Sequence, residues 1–587
     1  MGIGAIGDLL GGGGGGAAAD TGLPPATHHV IEVGGKELDS TIDEQVLSVT
    51  VIDRLRMPDS FTIVLSDPEH GILSEGGFEI GAKVKISTSE PGADSHKPLI
   101  SGEITSIEAE YDLLGVRAVV RGYDVLHRLA AGRKTKTFEN VTYADVAKDI
   151  AEGAGLDAEV DSSGGTIDHV IQGNVSDLDF LYQLSRRVGF DIAVEDDKMH
   201  FKKPTKSSAA PGAGDSESTK ATQLVWSHNL LEFRARMSAV AQVSEVKVRG
   251  WDVDAAEAVI GQADAETTSA ELKMSPADLA DLVGGETLVV VDRPVGDQGA
   301  ADDLAKAIAE QVASAAYEAT AVAVGSPLLK AGVAVTISEV DPALAGNWVI
   351  TTARHELGHG PYRTHLEFSG RQDRSLHGLV AGGLPSPIAR SSIPGVVIAV
   401  VTDNDDPDGQ GRVKVTYPWM GDEAESYWAR LARPSAGEDY GFLWVPESGE
   451  EVVVAFEHGD LAFPLVIGSL WNGQAKLPAK MMDGLVDSDG KVLRHALISP
   501  AGHMVVFYDD PDDAGIMIAT EDKSVRIVLG ESDGRMKIYC DGDTLDIETT
   551  GDLSIKADGA IKIEAGKTLD LKANQNATLK GLKVAIN

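Results

Sequence analysis

The chain has 587 residues, a formal net charge of -40, and 43% hydrophobic but only 5% aromatic residues. Because a single hydrophobic core stops growing at about 250–300 residues, this length predicts several domains. The negative charge argues against nucleic-acid binding, which requires a basic surface. The single cysteine, Cys540, excludes an intrachain disulfide and is consistent with folding in a reducing cytoplasm.

The first 26 residues predict a flexible arm, because six consecutive glycines (Gly11–Gly16) lose too much backbone entropy to order alone. Residues 1–35 contain no Lys or Arg, so they do not resemble a secretory signal peptide. No apolar run in the sequence approaches the ~18 residues of a membrane-spanning helix. We therefore expect synthesis in the cytoplasm without a signal peptide.

Residues 27–130 predict a β-barrel or β-sandwich, since apolar and polar residues alternate in runs such as DSFTIVLSD and VRAVVRGYD. An α/β insertion follows at 131–205. Its two helices are predicted to begin at Thr142 and Ser176, each with an Asp three residues later, and to end at glycines.

A second β-block of similar size follows a linker rich in small and polar residues at 206–221. This block, 222–375, contains a capped helix from Ser275 and a longer helix over Gln298–Tyr317. The size of the two blocks suggests two related barrels. After a Pro/Gly/Ser linker at 376–392, five or six short strands within 393–475 predict a closed barrel of the OB type.

Residues 543–587 repeat an apolar pair every eight residues, after a connector and β segment at 476–542. The two members of each pair are two residues apart, so both leave an extended strand on the same face. One pair per octad is too little to close a core within one chain, which predicts an intertwined triangular β-helix of three chains. A single-chain β-helix and a loose meander are the alternatives. The predicted axial core comprises Leu545, Ile547, Leu553, Ile555, Ile561, Ile563, Leu569, Leu571 and Leu579, with Ala577 completing the last pair.

The segment HELGHGPYRTH (355–365) contains the zinc-protease pattern H-E-x-x-H in His355, Glu356 and His359, with His365 as a possible third ligand. Zinc binding at this spacing requires a helix, so that the two histidines share a face. Strand-like residues precede the segment, and Gly358, Gly360 and Pro361 interrupt helical geometry. A β-hairpin that turns at 358–361 is the better prediction, and no metal site is assigned.

The loop DNDDPDG (403–409) resembles the start of an EF-hand in Asn404, Asp406, Asp408 and Gly409. However, Val415 stands where that loop needs Glu, and strands flank it. An acidic hairpin loop is therefore predicted, with adventitious cation binding left open. No nucleophile motif is present, Cys540 stands in a β context without an adjacent basic cluster, and no catalytic or cofactor-binding residue is assigned.

The OB-like region contains Gly411-Arg412-Val413, Pro418-Trp419, Pro446, Gly449-Glu450 and His458-Gly459-Asp460. With these residues it resembles the base domain of VgrG-type spike proteins, a family that includes Rhs/Vgr proteins and phage baseplate spikes. Upstream, the segments RGYDVLHRLAAGRKTKTF, SDLDFLYQLSRRVGF and VSEVKVRGWD are similar to the phage late-control D, or hub, region of these proteins.

This resemblance implies a mainly β, multidomain fold: two β-barrel hub domains with an α/β insertion, an OB barrel and a trimeric triangular β-helix. It implies a non-enzymatic, membrane-puncturing spike of a contractile injection system, most similar to the extracellular, phage-tail-like kind. In such a particle, cytoplasmic or released, a homotrimer adapts a sixfold tube to a threefold tip. The implied partners are the inner tube protein, baseplate components, a PAAR-type tip protein, effector cargo and, mechanically, the target membrane. Two alternatives are a secreted zinc metallopeptidase and a trimeric adhesin or receptor-binding fibre.

Overall fold

The structure is a computed structural model that describes most of the chain in two compact units, Met1–Asn472 and Gly473–Asn587. The predicted N-terminal arm, the predicted linker at 376–392 and His359 lie outside the described residues. None of the helices that the described residues form has the length and apolar character needed to cross a bilayer. The described residues are 29–586 except 91–94, 114, 196–197, 213–220, 359, 373–392, 422–423, 533 and 543.

The first β-block forms most of an 11-stranded sheet, with two one-turn helices between its strands. Its inward residues alternate with polar ones, as in β4, where Phe61, Ile63 and Leu65 are buried. The elements are β1 (His29–Val33), β2 (Lys36–Glu37), α1 (Ser40–Asp43), β3 (Val46–Arg54), β4 (Ser60–Ser66), α2 (Ile72–Glu75), β5 (Lys83–Thr88), β6 (Lys97–Asp112) and β7 (Gly115–Tyr123).

The α/β insertion has the two helices that the capping pattern predicts. In the first, Thr142 and Asp145 form a capping box; in the second, Ser176 accepts a hydrogen bond from the backbone N–H of Asp179. The second helix ends at Gly189, whose φ of 72° is the left-handed conformation that favours glycine. The elements are β8 (Lys134–Val141), α3 (Tyr143–Gly153), β9 (Asp157–Val160), β10 (Ile167–Val175), α4 (Asp177–Val188), β11 (Asp191–Glu195) and β12 (Lys198–Lys202).

The second β-block packs around Trp348, which is fully buried and contacts the rings of Phe233, Tyr317 and Phe368. Its longer helix ends before the predicted residue because Tyr317 already begins a strand. The elements are β13 (Gln223–Val225), β14 (Leu230–Met237), β15 (Glu245–Asp252), β16 (Glu257–Asp264), β17 (Ala270–Glu271), α5 (Pro276–Asp281), β18 (Thr287–Val290), α6 (Gln298–Ser314), β19 (Tyr317–Val324), β20 (Ala334–Ser338), β21 (Gly346–Val349), β22 (Thr352–Gly358) and β23 (Arg363–Phe368).

The two β-blocks are joined through one continuous sheet. Strand β22 of the second block pairs antiparallel with β3 of the first, so the strand order runs β14-β19-β23-β22-β3-β4-β7-β6-β5-β1-β2. The mainly β fold is confirmed. The sequence did not indicate this connection, which ties the two blocks together by backbone hydrogen bonds.

Residues 396–469 form the predicted OB-type barrel. The five-stranded order is β25-β24-β29-β30-β26, and a bridge between Val413 and Ala429 links its two ends. The barrel packs on the insertion: Ile171 of β10 joins its core, and a Cβ on Gly173 would lie 2.4 Å from a methyl of Leu461. The elements are β24 (Val396–Asp403), β25 (Lys414–Thr416), β26 (Arg430–Leu431), β27 (Ala436–Gly437), β28 (Tyr440–Gly441), β29 (Glu451–Phe456) and β30 (Pro464–Ser469).

The second unit consists of a one-turn helix, an antiparallel meander of five strands and the octad segment. Each strand of the meander pairs with the next one in the chain. Among residues 544–586, by contrast, the structure assigns no hydrogen-bonded strand. The elements are α7 (Ala479–Met482), β31 (Arg494–Ile498), β32 (Met504–Tyr508), β33 (Gly515–Ala519), β34 (Val525–Gly530) and β35 (Arg535–Cys540).

Candidate functional site

The segment that carries H-E-x-x-H lies in the predicted β-hairpin rather than in a helix. His355 and Glu356 are neighbours in β22 and leave it on opposite faces. His355 is buried beside the Tyr362 hydroxyl at 2.8 Å, and burial lowers its pKa to about 3. Glu356 instead contacts His365 on the outer face, at 3.0 Å.

This arrangement does not form the zinc site of a metallopeptidase. A strand cannot direct both His355 and Glu356 at one metal ion, whereas that chemistry needs the histidines and the glutamate together. Within the described part of the chain, no group of three or more His, Cys, Asp or Glu is arranged to hold a metal. His359 is not among those residues.

The acidic loop at 403–409 is held by an internal ion pair. The Asp406 carboxylate is buried and accepts hydrogen bonds from the Arg412 guanidinium at 2.7 and 3.0 Å, and from the backbone N–H groups of Gln410 and Arg412. Hydrogen bonding from Arg412 lowers the pKa of Asp406 to about 2. The carboxylate that an EF-hand would offer to calcium is thus bound to arginine, and the predicted hairpin between β24 and β25 is confirmed.

Substitution of Arg412 by Met should destabilise the OB barrel by about 2–4 kcal/mol, because it leaves the buried Asp406 carboxylate without its cation. The free energy of unfolding can be followed by tryptophan fluorescence, since all seven tryptophans lie in the first unit. As a control, Asp406→Asn with Arg412→Gln keeps a neutral hydrogen-bonded pair and should recover part of the loss. An unchanged unfolding midpoint in Arg412→Met would contradict this role of the pair.

Two buried carboxylates lie at the turn between β3 and β4 and just after β7. Asp59 accepts a hydrogen bond from the backbone N–H of Arg54, and Asp124 accepts from the backbone N–H of Asp59. Burial raises the pKa of Asp124 to about 6. Burial also raises the pKa of Asp59, and the neighbouring carboxylates of Asp53 and Asp124 raise it further.

These groups predict that the first unit loses stability as the pH rises. A carboxyl group with a raised pKa in the folded state binds more protons folded than unfolded. The stabilisation that the protonated Asp124 carboxyl gives the folded state is therefore fully present below about pH 4, and it is lost as the pH rises through about 6. Asp124 alone should account for about 2 kcal/mol of the free energy of unfolding between pH 4 and 8. Urea unfolding followed by tryptophan fluorescence, repeated across this pH range, measures how the free energy of unfolding depends on pH.

Asp59→Asn is the matched variant for this experiment, because an amide oxygen can still accept the hydrogen bond from Arg54. Its free energy of unfolding should depend less on pH than that of the wild-type chain. If the free energy of unfolding changed equally with pH in the two proteins between pH 4 and 8, these carboxylates would not be the cause of the pH dependence.

The predicted axial-core side chains are all solvent-exposed in the single chain. The nine leucines and isoleucines from Leu545 to Leu579 have exposed fractions between 52% and 78%. Apolar side chains exposed at such regular intervals are typical of a surface that another chain covers. The cysteine beside this segment, Cys540, is half-buried and donates a hydrogen bond to the carbonyl of Thr544.

The meander β31–β35 has a second apolar surface, which the sequence analysis did not identify. One face of the sheet packs in a small core with Met481. The other face is exposed, and the strand register aligns its residues in rows across all five strands. We call this largely exposed face the meander face; it comprises the exposed residues Leu497, Phe507, Ile518, Leu529, Met536 and Ile538 and the half-buried residues Val505, Ile516 and Ile527.

A signal for the meander face is present in the sequence. Runs such as MVVFY, GIMIA and VRIVLG are apolar at consecutive positions instead of alternating with polar residues. Such runs are typical of strands that are buried on both faces. In the single chain one face is covered, and the other face remains in contact with solvent.

Two family models match the chain. The model described as Alg8 N-terminal domain matches residues 25–359, more than half of the chain. The model described as type VI secretion system/phage-baseplate injector OB domain matches residues 397–471, the barrel defined above. Together the two models cover most of the hub-like region and the OB barrel.

Curated relatives match a limited part of the chain. The actin cross-linking toxin VgrG1 of Vibrio cholerae is 31% identical over 25% of this chain and 14% of its own length. The type VI secretion system spike protein VgrG3 of Vibrio cholerae is 29% identical over 27% of this chain and 17% of its own length. The chain thus spans less than a fifth of the length of these relatives.

Among solved structures, one chain of the Francisella PdpA-VgrG complex in its half-lidded form has a similar fold. It is 9% identical, with a TM-score of 0.52, and the match covers 88% of each chain. At that identity the likeness concerns the fold alone. Over the regions that match, the chain is similar to VgrG spike proteins of the type VI secretion system. Because the first family model matches more than half of the sequence, this chain belongs to the Alg8 N-terminal domain family, and its barrel matches the OB domain of type VI secretion system and phage-baseplate injectors.

Proposed function

We propose that three copies of this chain form the spike and hub of a contractile injection particle. The observation that carries the proposal is the pair of exposed apolar surfaces in the second unit, the octad leucines and isoleucines and the meander face. Their exposure in one chain is unfavourable, at about 25 cal/mol for each Å² of apolar surface. A shared axial core buries both.

In this proposal the domains have separate tasks. The hub, residues 27–375, and the OB barrel, 393–475, connect the spike to a sixfold tube and its baseplate. The octad segment, 543–587, forms a stiff needle that the contracting sheath drives against the target membrane. Stiffness follows from strands that hydrogen-bond between chains around one apolar core.

The proposed partners are the inner tube protein, baseplate components and a tip protein of the PAAR type. Effector cargo is a further proposed partner. The chain would be made in the cytoplasm and act within the particle, cytoplasmic or released.

The proposed role is mechanical and not enzymatic. Supporting this, His355 and Glu356 leave their strand on opposite faces, and Arg412 forms ion pairs with Asp406 and Asp408 of the acidic loop. One relative is named as an actin cross-linking toxin, and this chain matches only 14% of that protein's length. That name is therefore no basis for assigning a toxin activity to this chain.

Affinity purification of the full chain from cells that express the whole particle tests the proposal. Tube and baseplate proteins should co-purify in stoichiometric amounts, and zinc measured on the purified protein should be far below one ion per chain. Binding to glycans or intact cells, with no tube or baseplate protein retained, would instead support a trimeric receptor-binding fibre. Stoichiometric zinc would reopen the metallopeptidase alternative.

A further inference from the structure

The polar residues of the octads follow a second regular pattern. In each octad, the residue after the apolar pair is charged, and all of these residues are exposed in the single chain. Their signs alternate through the first four octads, and the fifth repeats the last sign. We call this set the charge column; it comprises Glu548, Lys556, Glu564, Lys572 and Lys580.

The charge column lies on the outer face of the proposed needle. In an extended strand the residue after the pair faces away from it, and it shares its face with the residue inside the pair. The third octad displays this arrangement, since the Lys562 ammonium lies 2.5 Å from the Glu564 carboxylate. The apolar members of the same octad, Ile561 and Ile563, are then free to face the axis.

Threefold symmetry determines which octads are neighbours. If each octad occupies one wall of a triangular prism, the chain turns by about 120° at every corner and rises by about 4.8 Å, the spacing between paired strands. The strand above a given octad on the same wall is therefore the next octad of a different copy. Equivalent positions of successive octads stack directly on one another across the chain boundary.

In that arrangement the charge column forms alternating contacts between copies. Glu548 lies beside Lys556 of the partner subunit, Lys556 beside Glu564 of the partner subunit, and Glu564 beside Lys572 of the partner subunit. The residue between the two members of each apolar pair adds one further opposite-charge contact, between Lys562 and Asp570 of the partner subunit. Within the charge column, like charges are neighbours only between the fourth and fifth octads, where Lys572 lies beside Lys580 of the partner subunit.

We propose that the charge column sets the axial register of the three copies and selects identical chains as partners. The apolar pairs cannot do so, because Leu and Ile recur in almost every octad and a slip of one octad preserves the core. The same slip places octads of equal sign together, Glu548 with Glu564 and Lys556 with Lys572. Like charges directly opposite each other destabilise a strand pair. This inference rests on the proposed trimer.

A reversed column tests the proposal without changing the net charge. The variant combines Glu548→Lys, Lys556→Glu, Glu564→Lys and Lys572→Glu, and it is co-expressed with the wild-type chain under a different affinity tag. Each protein should form its own trimers, and mixed trimers should be at least about fivefold rarer than random mixing gives. The preference should weaken in 1 M salt, where the charges are screened within about 3 Å.

Random mixing of the two chains, with both forming trimers, would overturn the charge column but leave the trimer intact. A wild-type chain that forms no trimer would overturn both. If the reversed chain fails to assemble, Glu564→Lys alone provides the second test. It should dissociate at a lower temperature than the wild-type trimer, and the addition of Lys556→Glu and Lys572→Glu should restore most of the loss. Absence of that rescue would contradict the proposal.

Discussion

Ile561→Asp combined with Ile563→Asp should convert the trimer into single chains. In the proposed prism, one octad layer buries a pair of Leu or Ile side chains from each copy. The double substitution would place six carboxylates around the axis of that layer, and each buried charge without a partner costs several kcal/mol. The lost apolar burial adds about 1.5–3 kcal/mol for each side chain. Sedimentation velocity and resistance to dissociation in detergent measure the effect.

Asn574→Asp with Asn576→Asp is the matched control. It adds the same two negative charges per chain at the same spacing, but at a predicted corner of the prism. Its sedimentation coefficient should equal that of the wild-type trimer. If the isoleucine double variant also remained trimeric, the octad pairs would not form a shared core.

Phe507→Asp with Ile518→Asp should lower the temperature at which the trimer dissociates by more than about 10 °C, because both residues lie on the exposed meander face. The single chain leaves these side chains in contact with solvent, so its own fold should change little. Dissociation is measured by light scattering during heating, and integrity of the first unit by tryptophan fluorescence.

The control for the meander face is His503→Asp with Ser532→Asp, two exposed turn residues of the same meander. This control should dissociate within about 3 °C of the wild-type trimer. Equal dissociation temperatures for the control and the Phe507/Ile518 variant would exclude the meander face from the interface between copies.

Local chemistry explains why the helices and the OB barrel could be predicted. A capping residue, a reciprocal Asp and a terminal glycine lie within one or two turns of each other, and the structure places α3 and α4 where this pattern does. The same local reasoning identified the hairpin at 355–365, because Gly358 and Pro361 are incompatible with a zinc-binding helix.

The joined hub sheet could not be predicted in this way. Strand β22 pairs with β3 although almost the whole hub sequence separates them, and alternation of apolar residues indicates a strand but not its partner. Sequence periodicity therefore indicated two blocks, whereas the structure connects them through backbone hydrogen bonds between Thr352–Gly358 and the first block.

The proposed assembly surface was predicted only in part. The octad pairs could be predicted from their eight-residue spacing. They are exposed in the single chain, as expected of apolar side chains that partner chains cover in the proposed assembly. The meander face was not identified, because five short apolar strands do not indicate which of their two faces is covered within the chain. Its assignment needed the register and the small core around Met481.

Cryo-electron microscopy of the purified full-length chain tests the trimeric spike most directly. Class averages should show a threefold body with an axial needle, in which the meander faces and the octad pairs of three copies meet on the axis. Particles of a single chain, or a body of different symmetry in which Leu545 to Leu579 remain in contact with solvent, would contradict it.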